Sequence, residues 1–240
     1  MIARRVADHA RERGRLPVLT DCASWALRWA AGRPFADRPS PATFVHEGTE
    51  HRYLRHPYHY TWLNERAVEV PLATAVLDAA GPRARVLEVG NVTGHYRPHA
   101  HTVVDKYEQA PGVHNVDVVD LPGTPGLAGP YDLVVAISTL EHVGVDEPVA
   151  DPGKAARAVA ALTSLLAPGG RLWVTVPLGY NPVLQAQLLS GELGFDRVTA
   201  LRRTGRDNRW EQAAPADVAG TRYDWLLYTA HAVLVAELVR

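Results

Sequence analysis

Two acidic residues stand at the ends of predicted strands, where they could hold a nucleoside. The apolar run 85–89 predicts a buried strand that carries Glu88 and is followed by a turn glycine, Gly90. A second predicted strand, 102–105, ends in Asp105. An acid at the tip of the second strand of an alternating α/β sheet is well placed to accept hydrogen bonds from ribose hydroxyls. The two acids therefore predict a cofactor that contains a nucleoside.

The glycine pattern after the first strand bears on which cofactor this is. A dinucleotide site needs three glycines there, for a tight turn, for close approach of the pyrophosphate and for helix packing. Only Gly90 is in register, because Val92 and His95 occupy the other two places. A valine side chain where phosphate must approach argues against NAD or FAD. S-adenosylmethionine carries no phosphate, and Glu88 near its sulfonium is electrostatically favourable.

The elements that must position these residues alternate between strand and helix. Strands are predicted at 85–89, 102–105, 113–118, 132–138, 171–176, 195–203 and 230–239, and helices at 154–167 and 182–190. This alternation predicts an α/β fold, a Rossmann-like, seven-stranded, mostly parallel sheet with helices on both faces. The last apolar run is typical of a strand inserted inside the sheet.

The N-terminal part, 1–60, is predicted to be a separate helical and loop segment in front of a main domain at 61–240. Pro17 is expected to interrupt the first helix, and Thr20 or Asp21 to cap a second helix at 22–31. Residues 34–60 are predicted to be a long loop, and 61–80 a helix with a kink or a break after Val70, because of Pro71. Two tryptophans of the second helix either pack on the main domain or form a lid over a substrate.

The composition of the chain argues against several classes of function. The chain has 240 residues, 47% hydrophobic content and a formal net charge of −1, which shows no basic footprint for nucleic acid. Cys22 is the only cysteine, so intramolecular disulfides are excluded. No apolar run approaches the length of a membrane span, and residues 1–16 lack the apolar core of a secretory signal. We expect a cytoplasmic protein without a membrane or nucleic-acid partner. Lysine is scarce while arginine and alanine are abundant, which indicates a GC-rich bacterial genome.

Five segments in a fixed order carry a resemblance to a known family. They are L-E-V-G at 87–90, V-V-D at 103–105, D-V-V-D-L-P at 117–122, the run 131–143 that ends in L-E-H-V, and L-A-P-G-G-R-L at 166–172. From about residue 60 onward the chain resembles class I S-adenosylmethionine-dependent methyltransferases. Shorter segments at 64–66, 90–92, 105–108 and 177–181 resemble a bacterial subgroup found among saccharide and natural-product gene neighbourhoods.

The resemblance implies S-adenosyl-L-methionine as cofactor and a set of residues that bind it. That set is Glu88, Gly90, Asn91, Asp105, Lys106, Asp117, Val118 and Ser138. Asp105 would meet the ribose and Asp117 the adenine amine. The alternatives are structural: Glu88 could accept hydrogen bonds from loop N–H groups, and Asp105 could be a solvated strand end.

Residues for catalysis and acceptor binding are expected at the same edge of the sheet. Glu141 and His142 lie just past the fourth predicted strand, where ligands of open α/β sheets bind. Histidine exchanges protons near neutral pH, so His142 is the candidate general base, and Glu141 is a candidate substrate contact. Alternatively, the pair caps the next helix. Candidate acceptor-binding residues are Tyr58, His59, Tyr60, Tyr180 and Asn181. The histidine clusters lack ligand spacing, so no metal site is predicted.

Two features depart from the family's pattern. Val92 replaces a glycine of the first motif, which puts the pose of the cofactor's amino-acid end in question. The link from Gly94 to Thr102 is shorter than the dozen or so residues that a parallel crossover normally needs. The first crossover helix is therefore predicted to be a single turn or a loop.

These features predict an S-adenosylmethionine-dependent methyltransferase (EC 2.1.1) of bacterial natural-product or saccharide metabolism. It would methylate an oxygen or nitrogen of a small polar acceptor, such as a saccharide or aminoglycoside, by direct displacement with help from a general base. One alternative is aminocarboxypropyl transfer or cyclisation with the same cofactor, and another is a non-catalytic cofactor-binding module. A nicotinamide oxidoreductase fits the glycine pattern worst. The partner is a small-molecule acceptor, and a homodimer is left open.

Overall fold

An eight-stranded sheet forms the centre of the computed structural model, which describes residues 2–240. A separate two-stranded hairpin precedes it in the chain. The strands are β1 (Thr43–His46), β2 (Thr49–Arg52), β3 (Val86–Val89), β4 (Thr102–Val104), β5 (Val113–His114), β6 (Tyr131–Ile137), β7 (Leu166–Pro177), β8 (Arg197–Arg203), β9 (Trp210–Ala213) and β10 (Ala232–Val239). The α-helices are α1 (Ile2–Arg13), α2 (Arg15–Gly32), α3 (Arg66–Ala80), α4 (Lys154–Ser164), α5 (Pro182–Ser190) and α6 (Pro215–Val218).

The strand order in the large sheet is β5-β4-β3-β6-β7-β10-β8-β9. Neighbouring strands from β5 to β7 are parallel, whereas β10 is antiparallel to both β7 and β8. This confirms the predicted Rossmann-like sheet and its inserted last strand. The strand not counted in the prediction is β9, which forms an antiparallel edge hairpin with β8.

The sheet is buried on both faces because its strands carry apolar residues at successive positions. In β6, Leu133 and Val135 belong to the core beneath α3, whereas Val134 and Ala136 belong to the core on the opposite face, with α4 and α5. Side chains alternate between faces along a strand, so a continuous apolar run indicates that both faces are covered. The parallel strands thus end together at one edge, which carries the candidate site.

Helix α3 continues through Pro71 without a break. A proline inside a helix leaves the carbonyl four residues earlier without its helical donor. Here the backbone N–H of Leu54 donates to the carbonyl oxygen of Ala67 at 2.9 Å. The prediction of a break was wrong. Leu54, which lies before α3 in the chain, supplies the donor that the freed carbonyl needs.

Two N-terminal predictions were also wrong. Helix α2 begins at Arg15 and includes Pro17 in its first turn, where a missing N–H costs little, so neither Thr20 nor Asp21 is its cap. The segment predicted as one long loop contains the β1–β2 hairpin. Its turn residues Glu47 and Gly48 have φ values of 49° and 76°, as a tight two-residue hairpin turn requires. The sequence of β2 is polar, so it lacks the alternation of apolar and polar residues that predicts a strand.

The hairpin packs against the main sheet. Phe44 is buried in the core on the α3 side, and Nε2 of His46 lies 2.9 Å from Oγ1 of Thr199 in β8. The division of the chain near residue 60 remains a prediction. Among residues 2–240, no helix has the length and apolar character that crossing a membrane would require.

The position of β10 gives a stability prediction. Leu234 is fully buried in the middle of β10 and pairs with Val176 and Ala200. Leu234→Ala is expected to lower the free energy of unfolding by about 2–5 kcal/mol, because it leaves a cavity in the core between the sheet and the helices. Urea unfolding followed by circular dichroism measures this change. Leu27→Ala, at an exposed position of α2, is the control and should change it by less than about 0.5 kcal/mol; equal effects would contradict the buried position of β10.

Candidate functional site

Two adjoining cavities open at the carboxyl ends of the parallel strands. The first, here called the strand-tip cavity, has a volume of about 240 Å³ and is lined by residues that follow β3, β4 and β6. The second, the aromatic cavity, has a volume of about 380 Å³ and is lined by Trp25, Tyr60, Tyr180, Tyr223 and Tyr228 among others. Arg66, Ser138 and His142 line both. These three side chains therefore mark the border between the two cavities.

The turn after β3 needs a glycine for two reasons. Gly90 has a φ of 83°, which disfavours residues with a side chain, and a Cβ atom there would collide with Oγ1 of Thr139. The backbone of Gly90 and Asn91 consequently forms part of the wall of the strand-tip cavity. Val92 lines the same cavity, at the place where a dinucleotide fold would have its second glycine.

Asp105 is fixed on the cavity wall by backbone donors. Its Oδ1 accepts hydrogen bonds from the N–H groups of Tyr107 and Glu108, each at 2.8 Å, and its Oδ2 accepts one from Asn91 at 3.2 Å. Each carboxylate oxygen can accept two hydrogen bonds. Oδ2 thus retains capacity for a hydroxyl in the cavity, and its orientation is fixed beforehand.

Glu88 does not line the strand-tip cavity, so the predicted direct contact with the cofactor needs correction. Its buried carboxylate accepts hydrogen bonds from the N–H groups of Val92 and Thr93, from the hydroxyl of Thr93 and from Nε2 of His101. Burial opposes ionisation, but the hydrogen bonds from His101 and Thr93 outweigh it and lower the pKa of Glu88. Glu88 therefore shapes the loop from beneath, which is the structural alternative considered from the sequence.

A group of two lysines and two acids closes the far side of the strand-tip cavity. Nζ of Lys106 lies 2.8 Å from Oδ2 of Asp117, and Nζ of Lys154 lies 2.6 Å from the same oxygen. Glu147 accepts from Lys154 at 2.5 Å and lies 3.2 Å from Lys106. Burial works against the charge of Asp117, but the lysines prevail and lower the pKa of its carboxyl. Because acids already neutralise both lysines, this wall offers no free positive charge for phosphate.

Asp117 also has a local structural role. Its side chain accepts a hydrogen bond from the N–H of Val119 and so caps a short 3₁₀ turn at Val118–Gly123. This turn replaces the second half of the strand predicted at 113–118, which is only Val113–His114 in the structure. Side chains of Val104, Val116 and Val118 line the cavity nearby and give it an apolar wall suited to a planar ring.

His142 is held by an acid that the sequence analysis did not single out. Nδ1 of His142 lies 2.6 Å from Oδ2 of Asp146, and the hydroxyl of Tyr180 donates to the same oxygen at 2.7 Å. An ionised carboxylate can only accept, so Nδ1 carries the hydrogen and Nε2 keeps a lone pair. Since His142 lines both cavities, this nitrogen is placed to take a proton where they meet.

Glu69 connects α3 to the tip of β6 at the same point. Its Oε2 accepts from Arg66 at 2.7 Å and its Oε1 accepts from the hydroxyl of Ser138 at 2.5 Å. Burial works against the charge of Arg66, but Glu69 and Glu65 outweigh it and raise the pKa of the guanidinium. Ser138 has a φ of 42°, an unfavourable backbone conformation for a residue with a side chain. Such conformations persist where the surroundings fix them, often at functional sites.

Glu141 is only 1% exposed and lines the aromatic cavity. Its Oε2 has no hydrogen-bond partner among the described residues, and its Oε1 lies 3.6 Å from Nε2 of His142. Burial raises the pKa of this carboxyl well above its usual range. The residue thus combines a solvent-shielded acid with an unused acceptor atom.

Aromatic rings surround the second cavity. The ring centroids of Tyr180 and Tyr223 are 5.1 Å apart, and those of Tyr223 and Tyr228 are 5.4 Å apart. From the N-terminal part, Trp25 of α2 packs edge-on against Tyr60 at 6.3 Å. Helix α2 therefore packs on the turn at Tyr58–Leu63, and its Trp25 lines the cavity; a lid over a substrate stays a prediction.

Of the predicted acceptor residues, His59, Tyr60 and Tyr180 line the aromatic cavity, and Tyr58 and Asn181 do not. The ring of Tyr58 stacks on that of His95 with centroids 4.0 Å apart, outside the cavity. Asn181 is buried, caps α5 by accepting from the N–H of Leu184, and donates to the carbonyl of Glu141 at 3.2 Å. These two predictions are corrected: both side chains support the site instead of lining it.

The first crossover is as short as the sequence predicted. A 3₁₀ turn at Thr93–His95 is the helical element between β3 and β4. Among residues 2–240, no group of three or more histidine, cysteine, aspartate or glutamate side chains is arranged to hold a metal ion.

Several site residues were missed from the sequence. Asp146 follows His142 by four residues, a helical spacing that could have indicated their contact, although the 3₁₀ turn Leu140–His142 ends at His142 and an irregular turn follows. Arg66 lies in the segment 64–66, whose sequence leaves open an internal ion pair, a cap or a role in the site. Tyr223 and Tyr228 come from the loop before β10 and belong to no motif, so only the fold brings them to the cavity.

Comparison with known proteins gives a similarity of fold. No protein-family model and no curated protein sequence matches the chain. The N-methyltransferase NodS from Bradyrhizobium japonicum, solved with S-adenosyl-L-homocysteine, has 15% sequence identity and a TM-score of 0.44, over 70% of this chain and 85% of NodS. A TehB-like S-adenosylmethionine-dependent methyltransferase from Corynebacterium glutamicum has 17% identity and a TM-score of 0.40, over 69% of this chain and 86% of its own.

A third similar structure carries a different name. The precorrin 8W decarboxylase from Methanobacterium thermoautotrophicum has 16% identity and a TM-score of 0.41, over 72% of this chain and 90% of its own. Identities and TM-scores of this size are too low to transfer an activity from any of these proteins. The strand order and the antiparallel β10 of the chain itself agree with the fold that the resemblance to class I S-adenosylmethionine-dependent methyltransferases implied.

The buried Glu88 gives a pH-dependent prediction. Glu88→Gln keeps the shape of the side chain but removes the charge that His101 and Thr93 stabilise, so the free energy of unfolding at pH 7 should fall by about 1–3 kcal/mol. The folded-state pKa of Glu88 lies below the ordinary 4.5, so its contribution is complete above pH 4.5 and is lost as the pH falls through the lower value. The difference between wild type and variant should therefore shrink below pH 4.5.

Urea unfolding at several pH values between 3 and 7 measures this difference. Glu50→Gln, in the exposed part of β2, is the matched control and should change the free energy of unfolding by less than about 0.5 kcal/mol. A Glu88→Gln effect that is absent at pH 7, or that grows as the pH falls, would contradict the role assigned to Glu88.

Proposed function

We propose that this protein is an S-adenosylmethionine-dependent methyltransferase that acts on an oxygen or nitrogen of a small polar acceptor. The observation that carries the proposal is the pair of cavities that meet at Arg66, Ser138 and His142. One cavity has the features of a nucleoside site, and the other is shaped for a small organic molecule. A donor and an acceptor in these two cavities would meet beside a histidine with a free nitrogen lone pair.

The residues of the strand-tip cavity fit the proposed cofactor. Asp105 would hold the ribose hydroxyls with Oδ2, and the valine wall would flank the adenine. Asn91, whose backbone N–H donates to Oδ2 of Asp105, lines the same cavity. Val92 and the neutralised lysines disfavour a pyrophosphate at this position, which supports S-adenosylmethionine over a dinucleotide.

The chemistry then requires little of the protein beyond alignment and proton removal. When bound, the cofactor supplies a methyl group that its sulfonium already activates. The cavity walls orient the acceptor, and enclosure by aromatic side chains keeps water away from the junction. Nε2 of His142 takes the proton that the acceptor loses, and Asp146 holds the ring in the tautomer that makes this possible.

Binding of S-adenosylhomocysteine tests the cofactor assignment. Isothermal titration calorimetry should show binding to the wild-type protein, and Asp105→Asn should weaken it by about tenfold or more, because a hydrogen-bonded charge is lost. Asp217→Asn, at an exposed position in α6, is the matched control and should bind like wild type. Absence of heat with both S-adenosylmethionine and S-adenosylhomocysteine, or equal affinities of the two variants, would refute the assignment.

The histidine is tested through turnover, with an acceptor selected from a panel of small amines and alcohols. His142→Ala should reduce kcat by about 10²–10⁴-fold while the affinity for S-adenosylhomocysteine stays near wild type, since only proton removal is lost. Asp146→Asn should lower kcat to a smaller extent without changing that affinity. Unchanged kcat in His142→Ala would remove the histidine from the mechanism. Formation of methylthioadenosine in place of S-adenosylhomocysteine would indicate aminocarboxypropyl transfer instead.

A further inference from the structure

The aromatic cavity contains more carboxyl groups than cationic side chains to pair with them. Glu65 and Glu141 line it, and Glu69 lies directly behind Arg66. Among the described lining residues, Arg66 is the one arginine or lysine, and Glu69 already pairs with its guanidinium. The cavity thus has an excess of acid that the protein itself does not balance.

The three carboxyl groups differ in what they contact. Glu69 receives hydrogen bonds from Arg66 and Ser138, and Glu65 receives them from the hydroxyl of Thr229 at 3.1 Å and the N–H of Ala230 at 3.0 Å. Oε2 of Glu141 receives none from the described residues although the side chain is buried. A buried carboxyl with an unused oxygen costs free energy unless a ligand supplies the missing donor.

The turn around Glu141 is fixed, so the side chain is not simply mobile. Asn181 donates to its backbone carbonyl, and Asn181 is itself held as the cap of α5. Glu141 borders the cavity, and burial raises the pKa of its carboxyl well above the usual range. A cationic donor would stabilise the ionised form, and a neutral donor such as a hydroxyl would do so far less.

The remaining walls also suit a cation. The rings of Tyr180, Tyr223 and Tyr228 lie together on one side of the cavity, and Trp25 lies on another. Aromatic faces attract ammonium groups, and the attraction is larger in a site shielded from water. Acid and aromatic faces in one cavity are complementary to an ammonium group on an organic acceptor.

We propose that the acceptor is a primary or secondary amine that enters as an ammonium ion, is held by the carboxylate of Glu141 among the tyrosine faces, and is methylated on that nitrogen. This inference rests on the proposed function and specifies its acceptor. Oε1 of Glu141 and Nε2 of His142 are 3.6 Å apart, so a nitrogen bound by the acid lies within reach of the base.

The proton and electron balance follows from this placement. The ammonium gives one proton to Nε2 of His142, which frees the lone pair of the nitrogen. That lone pair forms the new carbon–nitrogen bond while the carbon–sulfur bond of the sulfonium breaks, and the bonding pair leaves on sulfur as a neutral thioether. The product is a methylated ammonium, whose charge Glu141 continues to balance until release.

Several ionisable groups interact electrostatically with Glu141. They are Arg66, Glu65 and Glu69 from α3 and the turn before it, His142 from its own turn, and Tyr223 from the loop before β10. A comparison of two ligands at one pH is therefore more direct than a pH titration, because it leaves these groups unchanged.

The test compares 2-phenylethylamine, which is an ammonium ion at pH 7, with 2-phenylethanol, which has a hydroxyl in its place. Calorimetry with protein saturated by S-adenosylhomocysteine should show the ammonium binding at least about tenfold more tightly than the alcohol. Glu141→Gln should reduce that preference to less than about threefold. Glu192→Gln, an exposed glutamate bonded to Gln187, is the matched control and should keep the full preference.

The affinity of Glu141→Gln for S-adenosylhomocysteine reports on its folding and should equal that of wild type. Equal affinities for the two probes, no binding of either, or a preference that survives in Glu141→Gln would overturn the inference. A loss of S-adenosylhomocysteine affinity in this variant, with its circular dichroism spectrum unchanged, would also overturn it, because Glu141 would then serve the ammonium of the cofactor itself. If wild type fails to bind S-adenosylhomocysteine, the proposed function fails, and the two probes can still be compared on the cofactor-free protein.

Discussion

The carboxylate of Glu69 is the contact on which the arrangement of the site depends. It lies in α3, is fully buried, and receives hydrogen bonds from Arg66 and from Ser138 at the end of β6. Removing one partner of a buried ionic network leaves an uncompensated charge, which is strongly destabilising. Because Arg66 and Ser138 line both cavities, this network fixes the point where the cavities meet, and it holds Ser138 in an otherwise unfavourable backbone conformation.

The two cavities differ in their electrostatics, and this difference supports two different ligands. In the strand-tip cavity, Lys106 and Lys154 are balanced by Asp117 and Glu147, and the remaining acid, Asp105, is held by backbone N–H groups. In the aromatic cavity, the acids exceed the single guanidinium of Arg66. The first cavity therefore suits an uncharged nucleoside, and the second cavity suits a ligand with a cationic group. Before the proton transfer, a sulfonium and an ammonium would face each other across one junction, so the surplus acid would offset the repulsion between them.

Much of the fold could be predicted because it depends on local sequence patterns. Apolar runs marked β3, β6, β7 and β10, and the short link after Gly94 predicted the absence of a full crossover helix. The placement of Gly90 and Asp105 at the strand-tip cavity followed from the same patterns, since the tips of parallel strands share one edge.

The errors arose where distant contacts decide the local structure. The N–H of Leu54 satisfies the carbonyl that Pro71 leaves free, and α3 continues without the break that the sequence suggests. Glu88 faces the loop instead of the cavity because His101 comes back beneath it, a contact that no motif encodes. Tyr223 reaches the aromatic cavity only through the loop that leads into β10, so its role could not be inferred before the strand order was known.

A crystal structure of the protein soaked with S-adenosylhomocysteine tests the central claim most directly. The account predicts ribose oxygens within hydrogen-bond distance of Asp105, and the sulfur atom at the junction beside Ser138 and His142, facing the aromatic cavity. A ligand bound with its ribose away from Asp105, or with its sulfur facing away from the aromatic cavity, would contradict it.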